Sequence, residues 1–176
     1  MRQYKVIMTK QSFKHAPFLP SEKIIRNYAD VLVNFALNDG DGVKPGQVVY
    51  CIVPDWAKPM YGALQTAILK AGAHPMLKYI PMGYEKDFYM TANDQQLLFF
   101  PKEWNKAIVD TIDHRIVILP LESPHGLEGV PPTKILARAK SAQPMREWLN
   151  DKEARGKYTW TLAFWGTEEY AKEAGM

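Results

Sequence analysis

The chain has 176 residues, of which 22 are basic and 19 acidic, leaving a formal charge of +3 that is spread along its length. This balance contains no block of like charge, so it gives no footing for nucleic acid or an anionic membrane surface, and a domain of this size buries enough apolar surface to fold without staples. A single cysteine, Cys51, excludes an intramolecular disulfide and a thiolate metal cluster.

No apolar run reaches the length of a membrane span, and the basic N-terminus lacks the apolar core of a signal peptide. The reading is a cytoplasmic protein. Residues 1–20 form an N-terminal extension in which residues 4–8 (YKVIM) suit a short edge strand, and Pro17 and Pro20 place the start of the fold proper after them. Residues 21–176 read as one domain. Ser21 suits the N-cap of a first helix, whose Ile24, Ile25, Tyr28, Val31, Leu32 and Phe35 form a wide apolar stripe. The turn cluster NDGDGVKPG, residues 38–46, stops that helix.

The organising unit follows in residues 47–81. Residues 47–53 are a nearly continuous apolar run rich in β-branched side chains, the composition of a strand covered on both faces, and Pro54 ends it. Cys51 inside this run reads as a small buried hydrophobe. From Ala57 the period changes: Met60, Leu64, Ala67, Ile68 and Ala71 recur at three and four residues on one helix face. Gly72 takes the left-handed position at the helix end, and residues 76–80 begin a second strand. Strand, crossover helix and strand in this order predict a parallel pair with a right-handed connection.

Residues 83–100 form an irregular or partly helical excursion in which Tyr84, Phe88, Tyr89, Phe99 and Phe100 are expected to pack. Residues 101–112 read as a helix, with Pro101 at its first position and Trp104, Ala107, Ile108 and Ile112 sharing a face. Residues 115–121 make a third strand closed by Pro120. A loop then gives way to a helix after Thr133, a second helix spans residues 144–154 and breaks at Gly156, residues 158–164 form a fourth strand, and Thr167 caps a final helix. The fold class is therefore α/β: a mainly parallel sheet of about four strands with helices on both faces, a Rossmann-like three-layer domain.

The turns after the strands read PDWAKP, PMGYEK, ESPHGLEG and WGTEEY, and none has the glycine spacing that cradles a pyrophosphate. Ser123, before Pro124, lacks the flanking glycines of a nucleophile elbow. His15, His74, His114 and His125 stand far apart in sequence, and none joins a recognised metal-binding spacing. A ligand in an open parallel sheet sits beyond the carboxyl ends of the strands. There Asp55 and Trp56, with Glu122 and His125 from a neighbouring strand end, are the candidate ligand-facing residues, suited to an amine through charge and aromatic contact. The competing reading is that Asp55 caps the next helix and Trp56 covers core.

The order of the motifs also carries a resemblance. IIRNYADVLVNFAL (residues 24–37), VKPGQVV (43–49), ILKAGAHP (68–75) and the closing WTLAFWGTEEYAKEAGM (160–176) together resemble the metalloaminopeptidases of the aminopeptidase T and aminopeptidase S type. Gly166 replaces the usual proline before Thr167, while Ala171, Ala174, Gly175 and Met176 fit the family pattern. The resemblance implies an N-terminal domain alone. The family's catalytic residues and paired divalent metal ions, zinc or cobalt, belong to a second domain, so no metal or catalytic residue transfers to this chain. It further implies that domain as a partner, a peptide substrate in the complete enzyme, and a dimer enclosing the active-site chamber. The other readings are a free-standing α/β ligand-binding or accessory protein, and an independent enzyme built on Asp55, Glu122 and His125.

Overall fold

The unit in residues 47–81 is the centre of the sheet. In the computed structural model, which describes residues 19–119 and 125–175, β1 (Val48–Pro54) pairs in parallel with β2 (His74–Ile80) from Val48 opposite His74 to Pro54 opposite Ile80. The crossover is α2 (Lys58–Lys70), whose buried residues are Met60, Leu64, Ala67 and Ile68. Gly72 follows with φ +75°, the left-handed conformation that the turn into β2 demands. The next strand, β3 (His114–Ile118), joins β1 on its other side, with Val49 opposite His114, and β4 (Thr159–Ala163) pairs with β3. The order is β2-β1-β3-β4 and every pairing is parallel. The expected edge strand at residues 4–8 lies outside the described residues, as do residues 120–124.

Side-chain alternation along the strands separates two cores. Val49, Cys51, Val53, Ile116 and Ile118 face α2 and α1 (Glu22–Asn34). Tyr50, Ile52 and Val117 face the opposite layer, α5 (Lys102–Thr111) and α7 (Gln143–Ala154), where Val109, Ile112 and Leu149 meet them. A satellite core of Tyr89, Leu97 and Val130 holds together α3 (Glu85–Thr91), α4 (Asp94–Leu98) and the lead into α6 (Pro132–Ser141). α8 (Glu168–Glu173) begins at Thr167, whose hydroxyl accepts from the Tyr170 N–H at 3.4 Å. Ser21 caps α1 in the same way, accepting from the Ile24 N–H at 3.4 Å.

The glycine turn before β1 is set by close approach as well as by dihedral angle. Gly42 has φ +68°, and a Cβ placed there would lie 2.4 Å from the Asn34 carbonyl oxygen. Only glycine lets the turn return against the end of α1.

Several faces differ from the expected ones. α1 buries Ile25, Ala29, Leu32 and Val33, a single narrow stripe, because it packs chiefly on α2; Ile24, Val31 and Phe35 are exposed, Phe35 at 67%. In α5, Pro101 is the N-cap and not the first helical residue, and the buried positions are Val109 with the capping Ile112. Trp104, expected on that face, is 69% exposed, because positions 105, 108, 109 and 112 form the contact stripe and Trp104 falls on its flank. Of the aromatic residues in the 83–100 segment, Tyr89 is buried and Phe100 rests against Trp148 at 5.8 Å, whereas Tyr84, Phe88 and Phe99 are exposed. β2 also starts two residues earlier than expected, at His74. Among the described residues no helix is long and apolar enough to cross a membrane.

Candidate functional site

The strand order changes direction at β1, between β2 on one side and β3 on the other. A crevice for ligands in such a sheet opens at the carboxyl ends of β1 and β3. Asp55 and Trp56 follow directly on β1 and so stand at its mouth. Glu122 lies outside the described residues, so its position relative to them is undescribed. His125 is an exposed turn residue whose carbonyl accepts from the Glu128 N–H at 2.9 Å.

The Asp55 carboxylate is hydrogen-bonded on the β2 side of the crevice. One carboxylate oxygen, Oδ1, accepts a hydrogen bond from the Tyr79 hydroxyl, and the other, Oδ2, accepts from the Met82 N–H at 3.4 Å. Both partners belong to the end of β2 and the turn after it, so Asp55 ties the ends of two neighbouring strands. The capping role is not fulfilled: its side chain caps no helix. The hydrogen bond raises the pKa of Tyr79, with a small contribution from burial and from the Asp55 charge, because the ionised phenol loses the proton it donates. Tyr61 packs edge-on against Tyr79 at 6.2 Å and braces the same corner.

Trp56 does cover core, as the plainer reading expected. It is half-buried against the α1/α2 side of the sheet, with its indole Nε1 buried and lacking an acceptor among the described residues. Cys51 is fully buried, and burial pushes its thiol up to about 12, which removes it from nucleophilic chemistry. Asp55 and Trp56 therefore brace the strand ends and cover core. Among the described residues the strand ends place no nucleophile beside a base.

The polar cluster that sequence reasoning missed lies at the other end of the sheet. His114, the first residue of β3, is buried between Thr159 and Gln47: Nδ1 lies 2.8 Å from Thr159 Oγ1 and Nε2 lies 2.9 Å from Gln47 Oε1. The Gln47 amide oxygen also accepts from the Lys44 N–H at 2.6 Å, which makes it the acceptor and Nε2–H the donor. Thr159 then donates to Nδ1 while its oxygen accepts from the Asn38 N–H at 3.1 Å. A neutral imidazole satisfies every bond in this chain. Burial lowers the His114 pKa in agreement, opposed by the negative charge of Asp113. Asp113 accepts from the Val48 N–H at 2.8 Å and donates its own N–H to the Val48 carbonyl at 2.9 Å. These contacts lock the amino ends of β1, β3 and β4. The only hint in the sequence is that His114 precedes a strand, a place where histidines ordinarily finish turns.

The comparisons with known proteins bear on the whole domain. Wild-type AmpT from Thermus thermophilus is similar in structure, with a TM-score of 0.69 and 17% sequence identity, over 82% of this chain and 36% of AmpT. The chain thus spans little more than a third of that protein, and the likeness at this identity is one of fold. The A-PCP didomain of carboxylic acid reductase from Segniliparus rugosus, in complex with AMP, aligns at 15% identity over 79% of this chain and 18% of the didomain, with a TM-score of 0.30. No curated protein matches the sequence. The sequence model of the thermophilic metalloprotease family, M29, matches residues 21–175, and the chain belongs to that family.

Proposed function

We propose that this chain is the N-terminal, non-catalytic domain of a metal-dependent aminopeptidase, an enzyme that removes N-terminal residues from peptides, and that it shapes the active-site chamber and the access to it. The observation that carries this reading is the family match over residues 21–175 in a chain that spans 36% of AmpT. The rest of such an enzyme would hold the divalent zinc or cobalt, and this domain would meet that catalytic domain and the peptide entering it, in a cytoplasmic dimer. The side chains described here do not fit a metal ion: among the described residues no three histidine, cysteine, aspartate or glutamate side chains converge on one point. No reaction step is therefore assigned to them.

The strand-end residues support an architectural role. Asp55 braces Tyr79 and the turn at Met82, and Trp56 seals the core beneath. A titration of this chain with zinc and with cobalt tests the proposal. The expected result is no stoichiometric uptake; one or two ions bound per chain, with affinity lost on replacing Asp55 or His125, would overturn it.

A further inference from the structure

The layer formed by α5 and α7 leaves part of the sheet uncovered. Beside α7, over β3 and β4, a cavity of about 610 Å³ opens, a volume in the range of small-molecule sites. Its floor is a row of neighbouring strand positions. Arg115 on β3 lies opposite Trp160 on β4, and in the next row on the same face Val117 lies opposite Leu162. Tyr158, buried, and Leu149 of α7 close the inner wall, while Trp160 and Leu162 are 48% and 49% exposed at the rim.

Arg115 is the unusual element. Among the described residues its buried Nε has no hydrogen-bond partner and the side chain makes no ion pair with a carboxylate. Its neighbours on the sheet are Tyr50, directly across β1, and Tyr158, whose hydroxyl it hydrogen-bonds, so its charge is set among phenols and aliphatic side chains with no carboxylate paired to it. A half-buried guanidinium without a counter-ion is costly, and its planar set of donors matches a carboxylate best. The acidic residues at the mouth are occupied elsewhere. Glu153 accepts from the Trp160 indole N–H at 3.0 Å and Glu147 accepts from the Gln143 amide at 2.8 Å.

We propose that this cavity binds a small amphipathic monocarboxylate, its carboxylate on Arg115 and its apolar body against Val117, Leu149, Trp160 and Leu162. The charged lining is balanced, Arg115 and Arg146 against Glu147 and Glu153, so it offers a dianion no net attraction, while the one buried guanidinium suits one carboxylate. At the floor the Arg115 guanidinium repels an amine. The site lies on the sheet face and does not depend on the aminopeptidase reading. Nothing in that reading requires it.

The test is a titration of the whole chain with phenylacetate and, separately, hexanoate, followed by tryptophan fluorescence and by calorimetry, with inorganic phosphate and phenethylamine as comparisons. The expected result is saturable binding of the carboxylates, with phosphate and phenethylamine at least tenfold weaker. Arg115→Gln should weaken carboxylate binding at least tenfold. Should that variant fail to fold, Leu162→Trp, which fills the cavity from its exposed rim, keeps the proposal open to refutation, because it should abolish binding in a folded protein. Absence of saturable binding by both carboxylates, retention of full affinity in Leu162→Trp, or equal affinity for phosphate would each overturn the proposal.

Discussion

Burial holds Cys51 and His114 in their neutral forms, and each makes a measurable difference. The Cys51 thiol is fully buried and pushed up to about 12. Its reaction with Ellman's reagent near pH 8 should follow global unfolding and be absent on mixing without denaturant; prompt stoichiometric labelling of the native chain would show that β1 is open. His114 sits below its ordinary value of 6.5 in the folded chain, chiefly through burial. As pH falls, the unfolded chain therefore takes up the proton first, so this contribution to stability is fully present above the ordinary value and is lost as pH falls toward the lower folded one. Urea unfolding between about pH 7.5 and pH 5.5 should show stability declining, with a shallower decline in His114→Asn. An identical slope in the variant would remove His114 from the account. At this scale the locally encoded features were legible: Ser21 and Thr167 as caps, Gly72 as a left-handed turn, Cys51 as core. Asp55 was not, since its partner Tyr79 is 24 residues away on another strand. No local pattern records which side chain a strand-end carboxylate will reach.

Between elements, one polar side chain ties α7 to the last turn of α5 beside their apolar packing. Lys152 of α7 donates from its ammonium to the carbonyls of Val109 and Ile112 at 2.8 and 2.6 Å, and to that of Asp110 at 3.4 Å. The last turn of α5 leaves these acceptors without intrahelical partners, and a cation there also meets the negative end of the helix dipole. Burial lowers the pKa of Lys152, while Asp113 and Asp110 oppose the shift. Lys152→Met should cost roughly 1–3 kcal/mol, the range for a charged hydrogen-bonding group whose buried acceptors are left unpaired, as read from urea midpoints at constant slope. A loss below about 0.5 kcal/mol, the scale of an ordinary surface change, would mean that water replaces the ammonium freely. Outside the 83–100 segment the α-helices were legible, α1, α2 and α5 from periodicity and α6, α7 and α8 from punctuation and caps, but the buried faces of α1 and α5 were misjudged. Both helices carry more apolar residues than their single contact stripe can bury, and an apolar count alone does not show which flank, that of Phe35 or that of Trp104, is left in water. The 83–100 segment resolves into two short helices, the second of which, α4, is stabilised by a capping box in which Asn93 accepts from the Gln96 N–H and Gln96 accepts from the Asn93 N–H, each at 2.9 Å.

For the molecule as a whole, the parallel α/β class followed from strand, helix and strand in succession, and the structure has it in full. The order β2-β1-β3-β4 did not follow, because the rules of connection allow β3 on either side of the first pair. That order matters for the site: it sets β1 between its neighbours and places Asp55 and Trp56 at the point where the chain changes direction. The resemblance to aminopeptidases in the order of four short motifs agrees with the family match over residues 21–175. The domain's division of labour remains the proposal on which the account turns. It is tested most directly by assaying this chain alone on a chromogenic amino-acid amide, with zinc or cobalt added. The account predicts no turnover above the metal blank; turnover that requires the metal and disappears with a chelator would contradict it.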